Sequence, residues 1–254
     1  SWNNRTDTHL NSEFYNLEGF MKGETSLNQF ELEILGDIKG KSILHLQCHF
    51  GQDTISLNRL GAEVIGVDLS DKAIENARII AEKTNSTVQF ICCDLYDLEN
   101  HLDQQFDIVF TSYGTITWLP DLDKWGKLIS RFLKPEGKFI FVEFHPAVWM
   151  YDDDFDSVAY SYFKDAPIIE TNTGTYAEKG ADLVQQNITW NHSISEVVNS
   201  LISNGLEINV LNEYDYSPYN CLNHMVEISA GKYIIEEFGN KIPMVYAILA
   251  TKKG

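Results

Sequence analysis

Positive charge is scarce in this chain. Its 254 residues carry 19 Lys and Arg against 37 Asp and Glu, a formal net charge of −18. That balance repels phosphate backbones and anionic lipid, so neither a nucleic acid nor a membrane surface is expected as a partner. Cysteine is scarce too. The four (Cys48, Cys92, Cys93 and Cys221) form no C-x-x-C pair, which argues against a redox motif or a disulfide framework. Buried free thiols in a reducing, cytoplasmic compartment are the expectation. No apolar run approaches the ~20 residues of a membrane span. The N-terminal stretch SWNNRTDTHLNSEF lacks a basic segment followed by an apolar one, so no secretion signal is expected. Internal repeats and low-complexity stretches are also missing. What remains is ordinary globular material, 44% hydrophobic and 22% charged, enough to build a core without staples.

Short apolar runs alternate with helical periodicity. Strands are predicted at 42–47, 62–68, 88–94, 106–112 and 138–144, with helices at 26–36, 52–60 and 121–133 and another that follows Ser70. Ser70 is placed to cap its helix, with Asp71 in the first turn. Ala73, Ile74, Ala77, Ile80 and Ala81 form one helical face, and Pro135 marks the end of the last of these helices. Beyond His145 the pattern changes. Residues 149–163 are dense in aromatics and acids. Two extended segments follow, the second with Val184, Ile188 and Trp190 on one face of a period-two pattern. A helix at 193–204 and strands at 206–214 and 243–253 close the chain, with a short helix expected between those strands. Strands alternating with crossover helices predict an α/β fold: Rossmann-like, doubly wound, a mostly parallel seven-stranded sheet with helices on both faces and an inserted cap. One domain is expected over 1–254, with a ligand-binding core at 36–148 and cap insertions at 149–192 and 215–242.

Open parallel sheets bind ligands beyond the carboxyl ends of their strands, near the switch in strand order. The tips here are polar: His45 to Thr54 after the first strand, Asp68 after the second, Asp94 after the third, and Ser112-Tyr113-Gly114 after the fourth. Asp68 lies 17 residues past Gly51, where a carboxylate bridges the ribose hydroxyls of a nucleoside. The first turn has no G-x-G-x-x-G, and only Gly51 occupies a glycine position. A pyrophosphate needs close backbone approach at such glycines, so a nucleoside with a shorter tail fits better than a dinucleotide.

From Ile43 to Glu143 the chain resembles class I S-adenosylmethionine-dependent methyltransferases. SILHLQCHFGQDT aligns with that family's first motif, VIGVDLS with the second and ICCDLYDL with the third. FDIVFTSYGTITWL followed by RFLKPEGKFIFVEF aligns with the fourth motif and the fifth strand. Four motifs in order and at proper spacing are a far more specific signal than any one alone. The first motif departs from the pattern: His45 replaces the usual acid, and Gln47 and His49 replace two usual glycines.

The resemblance implies roles. S-adenosyl-L-methionine would be the cofactor, with Asp68 on the ribose hydroxyls and Leu69 beside the adenine. Asp94 would accept from the adenine amino group and the Leu95 amide would donate to a ring nitrogen. His45, Gln47 and Gly51 would line the methionine and ribose end, with Ser112 and Tyr113 near the methionyl tail and the reacting methyl. Asp53 and Thr54 would add polar contacts, and Tyr15 and Phe20 are candidates to close over the cofactor. The reaction would be in-line methyl transfer to a small-molecule acceptor, with Trp118, Trp149, Tyr151 and Phe155 as candidate pocket walls. Neutral or cationic acceptors suit the net charge better than anionic ones. Where the acceptor must lose a proton, His145 is the first candidate base, since a neutral imidazole works near pH 7; Glu143, Tyr113 and His192 rank behind it.

Other readings stay open at this point. A nicotinamide-dependent oxidoreductase suffers from the missing glycines and the lack of a Tyr-x-x-x-Lys pair. A nonenzymatic module binding S-adenosylmethionine or another nucleoside ranks behind the methyltransferase reading and is kept open by the altered first motif. No metal site is expected, because His45, Cys48 and His49 have no fourth ligand at recognisable spacing. A homodimer through the cap is allowed but not required.

Overall fold

The computed structural model describes residues 2–254. Three helices come first: α1 (Trp2–Leu10), α2 (Leu17–Met21) and α3 (Gln29–Leu35). Alternation then begins with β1 (Ser42–Leu46), α4 (Gln52–Arg59), β2 (Glu63–Asp68), α5 (Asp71–Lys83), β3 (Gln89–Cys92), β4 (Phe106–Ser112), α6 (Leu122–Phe132) and β5 (Leu133–Phe144). The remainder comprises β6 (Ile168–Thr173), β7 (Val184–Thr189), α7 (Ile194–Ser203), β8 (Leu206–Tyr214), β9 (Met225–Ser229), β10 (Lys232–Ile235) and β11 (Val245–Lys252).

Seven strands form the main sheet in the order β3-β2-β1-β4-β5-β11-β8. The first five are parallel, whereas β11 runs antiparallel to both β5 and β8. This is the expected Rossmann-like sheet. Both faces are buried, which is why its strands read as near-continuous apolar runs. Along β5, Phe139 and Phe141 pack with Trp125 of α6, while Ile140 packs with Leu35 and Leu57 on the other side. The strand order reverses beside β1, whose neighbours are β2 and β4, so a cleft opens above its carboxyl end.

The predicted cap at Ser70 forms: its hydroxyl accepts from the Ala73 N–H, and the face Ala73, Ile74, Ala77, Ile80 and Ala81 is buried. Three expectations differ. The helix predicted from residue 26 starts at Gln29. The region between β8 and β11 holds the β9–β10 hairpin and, among the described residues, no helix. The period-two face of β7 is inverted: Val184 and Ile188 point to solvent while Gln185 and Asn187 are buried. Hydrophobic periodicity finds the strand but not which face meets the rest of the protein, and here the inner face of the β6–β7 hairpin covers a ligand-sized cavity and meets Arg5. Among the described residues, no helix is long and apolar enough to cross a membrane.

Candidate active site

A cavity of about 1030 Å³ occupies the cleft above the parallel strands. It is at the upper end of small-molecule pockets, which span roughly 300–1,000 Å³, so two ligands can share it. Ten of the eleven residues expected from the resemblance to meet the cofactor line it: His45, Gln47, Gly51, Asp53, Asp68, Leu69, Asp94, Leu95, Ser112 and Tyr113. They come from the tips of four adjacent strands and the N-terminus of α4. Thr54 stands just behind the wall, and His145 is elsewhere. Tyr15, Phe20, Trp118, Trp149, Tyr151 and Phe155 also line the cavity.

The turn after β1 explains the missing glycines. Gln47, His49 and Gly51 all have positive φ, at 54°, 51° and 81°. The left-handed backbone of a glycine-rich turn is therefore kept by two larger residues. Local anchors hold them: the Gln47 amide donates to Thr115 O at 3.0 Å, and the His49 N–H donates to Asp68 Oδ2 at 2.8 Å. Gly51 itself cannot change, since a Cβ there would meet the Phe90 ring at 2.6 Å.

Asp68 also accepts from the Ser70 N–H at 2.9 Å. Burial pushes its pKa up, and these backbone donors pull it back. Leu69, 60% exposed, projects beside it. Asp94 caps the turn that follows β3, with one oxygen accepting from the Tyr96 N–H at 2.8 Å. Asp53 accepts from the Ser112 hydroxyl at 3.3 Å and has no cation partner among the described residues. Burial raises its pKa, and hydrogen bonds from Ser26 and Ser112 lower it. Gln47 Oε1 is buried without a partner. An uncompensated carboxylate and an orphan carbonyl in one cavity suit an ammonium-bearing ligand. His45, which stands where an acid is usual, is held neutral by burial, its pKa down to about 3, with its ring nitrogen 2.8 Å from Thr54 Oγ1.

The structure does not bring His145 to the cavity. Its Nδ1 accepts from the Ala147 N–H at 3.0 Å, so Nε2 carries the proton and donates to Glu213 Oε1 at 2.8 Å. Both nitrogens are spent on holding the chain after β5. Glu143 is likewise saturated, taking the backbone N–H groups of Gly114, Thr115, Ile116 and Phe144. It shapes the loop after β4 rather than facing a ligand. His192 donates to Leu119 O at 2.8 Å.

The methyltransferase-domain family matches residues 44–141. An uncharacterized methyltransferase of Synechocystis is 35% identical over 131 residues, which cover 51% of this chain and 59% of that protein. The ubiquinone biosynthesis O-methyltransferase of Coxiella burnetii is 30% identical over 135 residues, covering 52% of this chain and 57% of its own length. The match therefore spans little more than half of these relatives. An S-adenosylmethionine-dependent methyltransferase from Mesorhizobium loti shares the fold with a TM-score of 0.59 at 18% identity, covering 91% of this chain and all of that one. One from Clostridium acetobutylicum gives 0.60 at 16% identity, with 98% and 96% covered. The chain has the class I methyltransferase fold.

Within residues 44–141 the strand tips form the floor of the cavity; segments outside that stretch make most of its roof. α1 supplies Trp2 and Arg5, the following turn Phe14 and Tyr15, and the β6–β7 hairpin Asn172, Tyr176 and Asn187. The Tyr15 and Tyr176 hydroxyls are bonded to each other, which joins the two roof elements. None of these except Tyr15 was found from the sequence. Arg5 and Asn187, now 2.9 Å apart, are 182 residues apart along the chain and carry no shared pattern.

Proposed function

We propose that the chain is an S-adenosyl-L-methionine-dependent methyltransferase acting on a small-molecule acceptor. The observation that carries the reading is the meeting, in one cavity at the strand-order switch, of acids from two consecutive strand tips, Asp68 and Asp94. In this reading Asp68 holds the ribose hydroxyls, with Leu69 beside the adenine. The free oxygen of Asp94 and the Leu95 amide meet the adenine edge. Asp53, Gln47 Oε1 and Ser112 receive the ammonium end, so Asp53 takes over from the acid that His45 replaces. The bound cofactor supplies an electrophilic methyl on a sulfonium that departs as a neutral thioether. The protein's work is alignment and exclusion of water. The roof aromatics Trp2, Tyr15 and Tyr176, with Trp118 in the wall below them, close the cavity and present π faces to positive charge.

The acceptor pocket is assigned to the space walled by Trp118, Trp149, Tyr151 and Phe155, under the proposed cap of 149–192. The named O-methyltransferase among the relatives supports an oxygen acceptor as the first class to try. The free cysteines support a reducing, cytoplasmic setting. A homodimer is proposed through the outer face of the hairpin, where Ile169, Val184 and Ile188 stand exposed. Sedimentation velocity of the wild type against Val184→Glu tests it.

The central test is calorimetry with S-adenosylhomocysteine. Wild type should bind it, and Asp68→Asn should bind roughly tenfold or more weakly, through loss of a charge-assisted hydrogen bond. No binding by folded wild type would end the methyltransferase reading. Turnover against a hydroxylated-metabolite panel separates an enzyme from a binding module.

A further inference from the structure

The cavity contains one guanidinium for which the proposed ribose, adenine and ammonium contacts have no use. Arg5 is 7% exposed. Its Nη2 donates to Asn187 Oδ1 at 2.9 Å. With the Gln185 amide in its favoured orientation, that oxygen accepts from Nη2 at 2.8 Å and also from Nε. The guanidinium carbon lies 5.0 Å from the Trp2 ring centre and 5.2 Å from that of Trp118. Every one of these partners is neutral. Among the described residues no carboxylate is within ion-pair distance of Arg5, and Nη1 has no protein partner.

The titratable groups around it do not supply an anion. Tyr15 and Tyr176 have phenol pKa values pushed up by burial, so both stay protonated at neutral pH. His9 and His49 are driven down by burial and by Arg5 itself, so both stay neutral. A guanidinium does not escape by deprotonating. Burying one without a counter-charge is costly, and a protein of net charge −18 had many acids with which to pair it. The two amides on the inner face of β7 orient the fork by Nε and Nη2 and leave Nη1 free.

We propose that Arg5 is the receptor for a carboxylate on a molecule bound in the cavity. The planar fork matches a carboxylate in charge and shape; Lys179, the other cation lining the cavity, is bonded to Leu222 O at 2.9 Å. The carboxylate has two possible sources. One is the methionyl end of the cofactor, which rests on the methyltransferase reading; the other is the acceptor, which would then be an acid despite the unfavourable net charge of the whole chain.

Calorimetry on the intact protein distinguishes them. The probes are S-adenosylhomocysteine, its decarboxylated analogue S-adenosyl-3-thiopropylamine, and benzoate added to the protein saturated with S-adenosylhomocysteine. With the cofactor as source, wild type prefers S-adenosylhomocysteine to the decarboxylated analogue by roughly 10- to 100-fold, and Arg5→Gln abolishes that preference while still binding the analogue. With the acceptor as source, both adenosyl compounds bind Arg5→Gln as they bind wild type, and benzoate affinity falls by a similar factor. Arg5→Lys, which keeps the charge without the fork, should recover only part of the loss. The inference is overturned if Arg5→Gln binds all three probes as wild type does. Should Arg5→Gln not fold, wild type decides: no preference for the carboxylated compound and no benzoate binding overturn the inference equally. Wild type binding neither adenosyl compound would instead sink the methyltransferase reading, leaving benzoate to decide on Arg5.

Discussion

Glu31 should make this protein less stable as pH rises through neutrality, and Glu31→Gln should remove that loss. The residue lies in the first turn of α3 and is fully buried. Tyr113 and Asn28 face its carboxyl, Asp53 adds like-charge repulsion, and no cation pairs with it among the described residues. Desolvation is the dominant cause, and it raises the pKa from 4.5 to about 7. The sign follows from linkage. The folded state holds the proton more tightly than the unfolded chain, so the associated stability is fully present below pH 4.5 and is lost as pH rises through about 7. At 1.36 kcal/mol per pH unit, the loss across that window is about 3 kcal/mol. Gln is nearly isosteric, does not ionise, and keeps an oxygen and an amide for the same neighbours. Urea unfolding of wild type and Glu31→Gln at pH 4.5 and pH 8 gives the measurement. The difference between the two proteins cancels the titration of Asp53, Asp68 and the histidines to first order. The variant should gain roughly 3 kcal/mol relative to wild type between the two pH values. A gain below about 1 kcal/mol would refute the reasoning, because Glu31 would then ionise in the fold at little cost.

Two further predictions follow from the site. Gly51→Ala should cost about 2–4 kcal/mol in urea unfolding, combining a left-handed φ with a Cβ driven into the Phe90 ring; a cost under 1 kcal/mol would mean that the turn after β1 adjusts freely. His145→Gln should leave methyl transfer within about twofold of wild type, because both ring nitrogens are already bonded to the protein and the ring lies outside the cavity; a collapse of turnover with unchanged stability would restore it as a base.

The sheet was largely legible because its signals are local. β4 and β8 begin and end where the apolar patterns of 106–112 and 206–214 predict. Ser70 caps α5 because a hydroxyl just before an amphipathic run has a backbone N–H within reach, whatever the rest of the chain does. The strand tips were legible for a related reason: the topology of a parallel sheet forces the residues after each strand to one edge, so Asp68, Asp94 and Ser112 share a cavity. His45 and Gln47 were legible as positions but not as chemistry. The burial that keeps His45 neutral, and the anchors at Thr54 and Thr115, exist only after the chain turns back.

The misreadings have one origin. In β7 the alternation of polar and apolar residues was plain, but burial of the polar face depended on a cavity beneath it. His145 sits at a strand tip as expected, yet its direction was decided by Glu213 on β8, a strand whose place in the sheet order has no local signal. The amino-acid sequence by itself determined the alternating elements, the doubly wound sheet and the acids at its strand tips, because periodicity and capping act over a few residues. Only the tertiary structure decided that α1 and the β6–β7 hairpin roof those tips, that Arg5 is buried there among neutral partners, and that Glu31 is shut away from water. Desolvation and charge pairing belong to the assembled surroundings of a group, and those surroundings come from segments far apart in the chain.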